Sequence, residues 1–502
     1  MSQRISGSVA GSTPLTHEAV PGSTPSEAVA GIAEELARQQ PGWSLAGWAE
    51  RQAALARFHG KLARDADAWA DLIRDEIGKP RIEAETEVVS TLDAVRWTVR
   101  RAGKLLRDQR SSPEWQRWML MKSACVHQRP YGLVGMIGTW NYPLLLNAAP
   151  IIQALAAGNT VLWKPSEFAT ECGRRLHELL TESGLAPTVA STVYGGPEVG
   201  RALIAAPLRK AVFTGGISAG RKVLADLASR GVPAVAELSG FDAAIVTPGT
   251  SIKSAVPALA WAAFVGAGQT CVAIKRIYVV GDPAPWAAAL GQYANTLTVG
   301  RPESGQFDLG PLISTEARRR FLAQVQQAIE AGAQLQSSIT TAGQPADDGS
   351  SCRPVVLLAD GPEPETHLEG SFGPVVVVRG VPDLASAVAA VNASEFGLSA
   401  SLWGPDSTAL SRLAPSLDVG MVTINDAVTA AGHMTAPFGG LKASGFGRTR
   451  GAAGLAEFVQ PQAVHVRGPG GLRPQLYPYA ATSGRLTRLL NFYRAMYHRP
   501  GR

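Results

Sequence analysis

Leu133-Val134-Gly135-Met136-Ile137-Gly138-Thr139-Trp140-Asn141-Tyr142-Pro143 is an apolar run followed by a polar loop. A run with no polar alternation suits a strand buried on both faces, because it has no solvent side to present. Similar runs recur at Thr160 to Trp163, Ala211 to Phe213 and Ala243 to Val246, with helical segments such as Cys172 to Ser183 and Ala219 to Ser229 between them. That alternation predicts a parallel sheet covered by helices, with ligands at the carboxyl ends of the strands. Beyond Pro248 a second α/β series follows, with strand-like runs at Arg276 to Val280, Val375 to Val378 and Met421 to Ile424. Helical stretches lie at Ile313 to Ala331 and Leu384 to Asn392, and Gly343 to Arg353 reads as a surface loop.

Upstream, Glu27 to Arg110 reads as helices with a break at Pro41-Gly42. Trp48, Leu55, Phe58, Leu62 and Trp69 recur at steps of three, four and seven, as in an amphipathic layer. Ser111 to Pro130, with Trp115, Trp118, Leu120 and Val126, reads as strands instead. The first 25 residues are rich in Ser, Gly, Thr and Pro and lack both the apolar core of a signal peptide and the arginines of a transit peptide, so a disordered tail is expected.

At 502 residues the chain exceeds one ordinary core, and 45% apolar residues is the share of a soluble globular protein. No stretch is apolar for the length a bilayer needs. Cys125, Cys172, Cys271 and Cys352 are widely spaced, with no metal-ligand or redox pairing. They argue for a reducing, cytoplasmic compartment. The net charge of +6 is lopsided: no acidic residue follows Glu457, while arginines accumulate to Arg502. A solvated basic tail fits better than nucleic-acid binding. In that tail Leu486, Leu489, Leu490, Tyr493, Met496 and Tyr497 form one apolar helical face, suited to packing on protein and, less readily, to a membrane surface.

Cys271 closes Val265-Gly266-Ala267-Gly268-Gln269-Thr270-Cys271. A lone Cys reads first as a buried, inert thiol. Glycines 266 and 268 alter that reading by leaving room for a substrate near the sulfur. Glu237, in Ala236-Glu237-Leu238-Ser239-Gly240 and 34 positions earlier, is a candidate general base for hydrolysing a thioester. Taken alone, Asn141 is a turn residue, Lys164 and Glu167 a surface ion pair, and Gly196, Gly215 and Gly220 turn glycines.

Taken together, Thr139-Trp140-Asn141-Tyr142-Pro143, Trp163-Lys164-Pro165-Ser166-Glu167, Phe213-Thr214-Gly215-Gly216, Glu237-Leu238, Gly268-Gln269-Thr270-Cys271, Phe372-Gly373-Pro374 and Pro437-Phe438-Gly439-Gly440 with Ser444-Gly445 resemble the aldehyde dehydrogenases. The resemblance runs from about Ala30 to Val466. It implies an α/β fold with a parallel-sheet cofactor domain (27–110 and 131–238), a second α/β catalytic domain (239–456) and a small β oligomerisation arm (111–130 and 457–468). A tail at 1–26 and a basic tail at 469–502 lie outside these.

The implied chemistry is oxidation of an aldehyde to its acid. Cys271 attacks the aldehyde, and the Asn141 amide and the Cys271 backbone amide stabilise the oxyanion. Hydride leaves for a nicotinamide, and Glu237 activates water against the resulting thioester. Relatives that pass the acyl group to coenzyme A typically lack this carboxylate, so a free acid is favoured. A CoA-acylating enzyme and a catalytically impaired binding protein remain alternatives. Trp140, Lys164, Ser166, Glu167, Gly196, Gly215, Gly216, Gly220, Leu238 and Phe372 are the implied cofactor residues. Glu167 would repel a 2′-phosphate, so NAD is favoured, with NADP open. A small-molecule aldehyde, a homodimer or homotetramer and no metal are expected.

Four positions depart from the pattern. Gly216 stands where Ser is usual, and Ser239 where Gly is usual. Gly370 stands where a Glu usually holds the nicotinamide ribose. Thr449 stands where many relatives have a carboxylate.

Overall fold

A computed structural model describes residues 22–111, 122–338, 349–359 and 364–467, with scattered positions between 484 and 495. Residues up to Leu106 join Pro130–Gln460 in one compact unit, and Arg107–Arg129 join the residues from Pro461 onward in a second.

The first unit opens with four helices, Ser26–Leu45, Gly47–Arg64, Ala66–Ile77 and Arg81–Leu105. Leu55, Phe58, Leu62 and Trp69 are all buried in one core cluster, as their spacing predicts, with Trp48 partly buried against it. The break expected at Pro41-Gly42 falls elsewhere. Pro41 lies inside the first helix, and the chain turns at Ala46-Gly47, where Gly47 takes φ 78°. The indole of Trp43 donates to Leu155 O and the Arg51 guanidinium to Ser44 O, so tertiary contacts hold the last turn together.

A six-stranded sheet follows, in the order Gly445–Phe446, Ala234–Glu237, Lys210–Thr214, Leu133–Ile137, Thr160–Lys164, Ala190–Thr192. All neighbours are parallel except Gly445–Phe446, which runs antiparallel to Ala234–Glu237. Alternate side chains point to opposite faces. Leu133, Leu162 and Ala211 pack with Leu36 of the first helix and Leu203 of helix Pro197–Ala205. Val134, Met136, Val161 and Trp163 pack into the core shared with helix Leu145–Ala156. Both faces are covered, which is why these strands read as continuous apolar runs.

The run at Ala243 to Val246 belongs to a different sheet from the one expected. Asp242–Val246 pairs in parallel with Ile274–Val280 and Ser399–Trp403. The seven-stranded order is Gln334–Leu335, Val355–Leu358, Val375–Val381, Ile274–Val280, Asp242–Val246, Ser399–Trp403, Met421–Ile424. Conversely, Gly445–Phe446 and the helix Gly451–Ala456 return to the first sheet and its helices although they lie late in the chain. At the end of the loop expected on the surface, Ser350 and Ser351 are buried, and their carbonyls accept from Leu312 N and Arg318 Nε.

In the second unit Gln109–Ser111, Lys122–Pro130 and Val459–Arg467 form a three-stranded sheet. Val126 lies on its central strand, while Trp115, Trp118 and Leu120 fall outside the described residues. Of the apolar tail face, Leu490 is described, helical and exposed; Leu486, Leu489, Tyr493, Met496 and Tyr497 are outside the described residues. Among the described residues no helix is long and apolar enough to cross a membrane.

Candidate active site

Cys271 follows helix Ile252–Phe264 by way of three consecutive left-handed residues, Gly266 (φ 64°), Ala267 (54°) and Gly268 (70°). A Cβ on Gly268 would stand 2.2 Å from Gly373 O. The two glycines therefore serve the turn and its close packing, rather than opening a path to the sulfur as their small size suggested. The turn is pinned by polar side chains. Gln269 Nε2 donates to Gly266 O and Pro311 O while its Oε1 accepts from Ile313 N. The buried Nζ of Lys275 donates to Gly268 O at 2.9 Å and Gly373 O at 2.6 Å. Thr270 Oγ1 donates to Val265 O and meets the Tyr142 hydroxyl at 2.8 Å.

Asn141 reaches this loop from the end of strand Leu133–Ile137. Its Nδ2 donates to Gln269 O at 2.9 Å, and its Oδ1 accepts from Thr139 Oγ1 at 2.9 Å. A carbonyl can only accept, so the amide orientation is fixed, and one Nδ2 proton stays uncommitted. Asn147 braces the approach, donating to Pro143 O and Thr139 O. Gly138 lies so close that a Cβ there would be 2.0 Å from Asn147 Oδ1. No described residue accepts from the Cys271 N–H.

Glu237 is the last residue of strand Ala234–Glu237, paired across to Thr214 and Gly445. Its carboxyl is buried, and Oε1 has no hydrogen-bond partner. Burial raises its pKa to about 8, opposed by the guanidinium charges of Arg450 and Arg448. Burial likewise pushes the Cys271 thiol up to about 12, with the Glu237 and Asp242 carboxylates adding to the rise and Arg450 opposing it. Burial thus shifts both groups toward their protonated forms.

Cys271 is partly exposed and stands between two cavities. The larger, about 550 Å³, is lined by Asn141, Glu237, Gly215, Gly216, Leu238, Phe372 and Trp140 among others. Trp140 and Phe372 meet edge to face at 5.8 Å. The smaller, about 290 Å³, has Tyr142, Leu145, Val265 and Phe438 among its walls.

The remaining cofactor candidates do not line the large cavity. Lys164, at the carboxyl end of strand Thr160–Lys164, is buried and donates to Pro165 O and Gly195 O, with Glu167 Oε2 at 3.4 Å. Ser166 caps a 3₁₀ turn by accepting from Phe168 N. Gly196 precedes helix Pro197–Ala205, and its N–H is taken by Glu198 Oε1. Gly220 is occupied with packing: a Cβ there would stand 2.5 Å from Leu238 Cδ2. Gly216, by contrast, ends in open space at the N-terminus of helix Ile217–Ser229.

Arg450 was not foreseen. It is buried, borders both cavities, stacks on the Phe438 ring at 4.5 Å and donates to Ala431 O. No described carboxylate lies within ion-pair distance of it. Its signal in sequence was an arginine two residues past Arg448, in a stretch with no acidic residue between Asp426 and Glu457.

The sequence profile of the aldehyde dehydrogenase family matches residues 12–464. A 4,4'-diapolycopene aldehyde oxidase from Methylomonas sp is 34% identical over 436 residues, covering 86% of this chain and 81% of that protein. A Mycolicibacterium smegmatis protein designated "Putative succinate-semialdehyde dehydrogenase", NADP(+), is 33% identical across 89% of this chain and 85% of its own length. Among solved structures, lactaldehyde dehydrogenase from Escherichia coli matches with a TM-score of 0.83 at 27% identity, covering 89% of this chain and 92% of that one. The fold is that of an oxidoreductase acting on aldehydes. The chain belongs to the aldehyde dehydrogenase family.

Proposed function

We propose that this enzyme oxidises an aldehyde to a free carboxylic acid with NAD(P)⁺ as acceptor, using Cys271 as nucleophile and Glu237 as base. The observation that carries the reading is that the Cys271 thiol, the Glu237 carboxyl and the Asn141 amide line one cavity.

The Cys271 thiol passes its proton to solvent water as the sulfur bonds to the aldehyde carbon, placing negative charge on the carbonyl oxygen. The uncommitted Nδ2 proton of Asn141 and the Cys271 N–H are the donors for that charge. The cofactor's service, when bound, is to accept the hydride that leaves this carbon, which leaves a thioester on Cys271. Glu237, as carboxylate, takes a proton from water while the water oxygen adds to the thioester carbon. The C–S bond then breaks, releasing the acid and restoring the thiol. The orphaned Oε1 of Glu237 is the atom suited to hold that water.

The chain's residues fit a dinucleotide. The open N-terminus at Gly216, where helix Ile217–Ser229 begins, suits a pyrophosphate, since the first backbone N–H groups and the helix dipole favour an anion. Lys164 and Glu167 lie at a strand's carboxyl end, where an adenosine ribose would sit. Glu167 favours NAD, whereas a relative's name carries NADP(+), so the two cofactors are compared directly in the test. We also assign it to the cytoplasm as a homo-oligomer that uses the three-stranded arm.

The test follows NADH or NADPH absorbance over a panel of aldehydes, with and without coenzyme A. Turnover without coenzyme A that Cys271→Ser abolishes supports the reading. An absolute need for coenzyme A points to the acylating alternative. A Cys271 thiol inert to an alkylating reagent, together with no turnover, points to the binding-protein alternative, which Gly216 and Gly370 favour.

A further inference from the structure

Resting on the proposed reaction, we infer that the substrate bears its aldehyde on a hydrocarbon chain longer than the inner cavity holds, its far end lying across an apolar rim formed by Ile82 and Trp261. Both side chains line the 290 Å³ cavity that has Cys271 on its wall, yet Ile82 is 68% and Trp261 45% exposed. Side chains in contact with both cavity and solvent form the mouth, where Thr86 and Thr429 stand beside these two apolar groups. Val89, 59% exposed and seven residues beyond Ile82, lies on the same face of helix Arg81–Leu105, with Thr86 between them. An exposed apolar patch continuous with a reactive cavity marks a surface that a ligand covers.

Charge at the cavity argues the same way. The two carboxylates on its wall are Glu83, which accepts from Gly266 N, and Glu87, which pairs with Lys79 at 2.8 Å. The basic group on the wall is Arg450, and it faces the reacting end, where its charge acts on Cys271 and Glu237. With Glu87 paired to Lys79 and Glu83 tied to the Gly266 amide, the wall offers a substrate carboxylate no basic partner other than Arg450 at the reacting end. At about 30 Å³ per heavy atom the cavity holds about ten atoms, so a longer chain must emerge at the mouth.

The experiment measures kcat/KM for butanal, octanal, dodecanal, hexadecanal and succinate semialdehyde in wild type, Ile82→Ser and Trp261→Ala. Expected is a rise of up to about fourfold per methylene while the cavity fills, a continued gain from dodecanal to hexadecanal, and succinate semialdehyde below butanal. Each variant should lower kcat/KM for hexadecanal about tenfold more than for butanal. A profile that stops rising before dodecanal, equal losses for short and long aldehydes, or preference for succinate semialdehyde would overturn the inference while leaving the reaction standing. Absence of turnover with every aldehyde would overturn the reaction and the inference with it.

Discussion

The side-chain amide of Asn141 donates to the backbone carbonyl of Gln269 over 2.9 Å, joining two loops 128 residues apart in the chain. One Nδ2 proton thus tethers the loop bearing Cys271, and the other is the one that the proposed mechanism assigns to the reacting oxygen.

Replacing Asn141 by Ala removes both services. Loss of one oxyanion donor should lower kcat by about 10²- to 10³-fold with a far smaller change in KM. The stranded Gln269 carbonyl should cost about 1–3 kcal/mol of stability as well. Steady-state kinetics and urea unfolding of the same preparation read the two effects separately.

Glu237 makes stability fall as pH rises. Unfolded, its carboxyl ionises near 4.5; folded, it holds its proton to about 8. Folding therefore takes up a proton in that window, and stability declines with rising pH across it. Glu237→Gln has no proton to exchange, so its stability relative to wild type should climb from pH 4.5 to 8 and then level off. Thermal melts across that range check this. In wild type, acid release should increase with pH through about 8, and the variant should lack that limb.

Two glycines of the site should respond oppositely to a side chain. Gly268→Ala combines φ 70° with a clash against Gly373 O, so it should lose about 1–3 kcal/mol from backbone conformation alone, and more from the contact. Gly216→Ser meets nothing within 4 Å and sits at φ −70°. Its melting temperature should stay put, while the new hydroxyl tightens dinucleotide binding by about 0.5–1.5 kcal/mol. Calorimetric titration and melts distinguish the two outcomes.

Gly370→Glu probes how the far half of the cofactor is held. The position borders the large cavity with open space around its missing Cβ, but at φ 69° a side chain costs about 1–2 kcal/mol. Dinucleotide affinity should rise and product release slow, at the expense of a lower melting temperature. Unchanged affinity and turnover would mean that Gly370 does not loosen the hold on the nicotinamide ribose.

The buried runs such as Leu133 to Ile137 were legible because covering a strand on both faces leaves no other pattern. Ala190–Thr192 and Ala234–Glu237 were not, being short and ending on polar residues, although the second carries Glu237. The sheet membership of Asp242–Val246 was equally hidden, since an apolar run does not name its neighbours. At the site, Cys271 and Glu237 were picked out from residue type in context and Asn141 from the family resemblance, and all three line one cavity. The reason for Gly266 and Gly268 was misjudged, because only coordinates reveal the carbonyl of Gly373 pressed against the turn. Arg450 escaped because burial of a cation within a basic region leaves no trace in composition.

The late segment Gly445–Phe446 also guards an exposed flank. Its antiparallel pairing with Ala236 and Glu237 caps the outermost parallel strand of the first sheet. A chain shortened before Gly445 would present that strand's amides and carbonyls unpaired, an invitation to stack edge to edge with other copies. Such a fragment should precipitate rather than linger as an inactive monomer, so Gly445–Phe446 protects colloidal behaviour as well as the strand that carries Glu237.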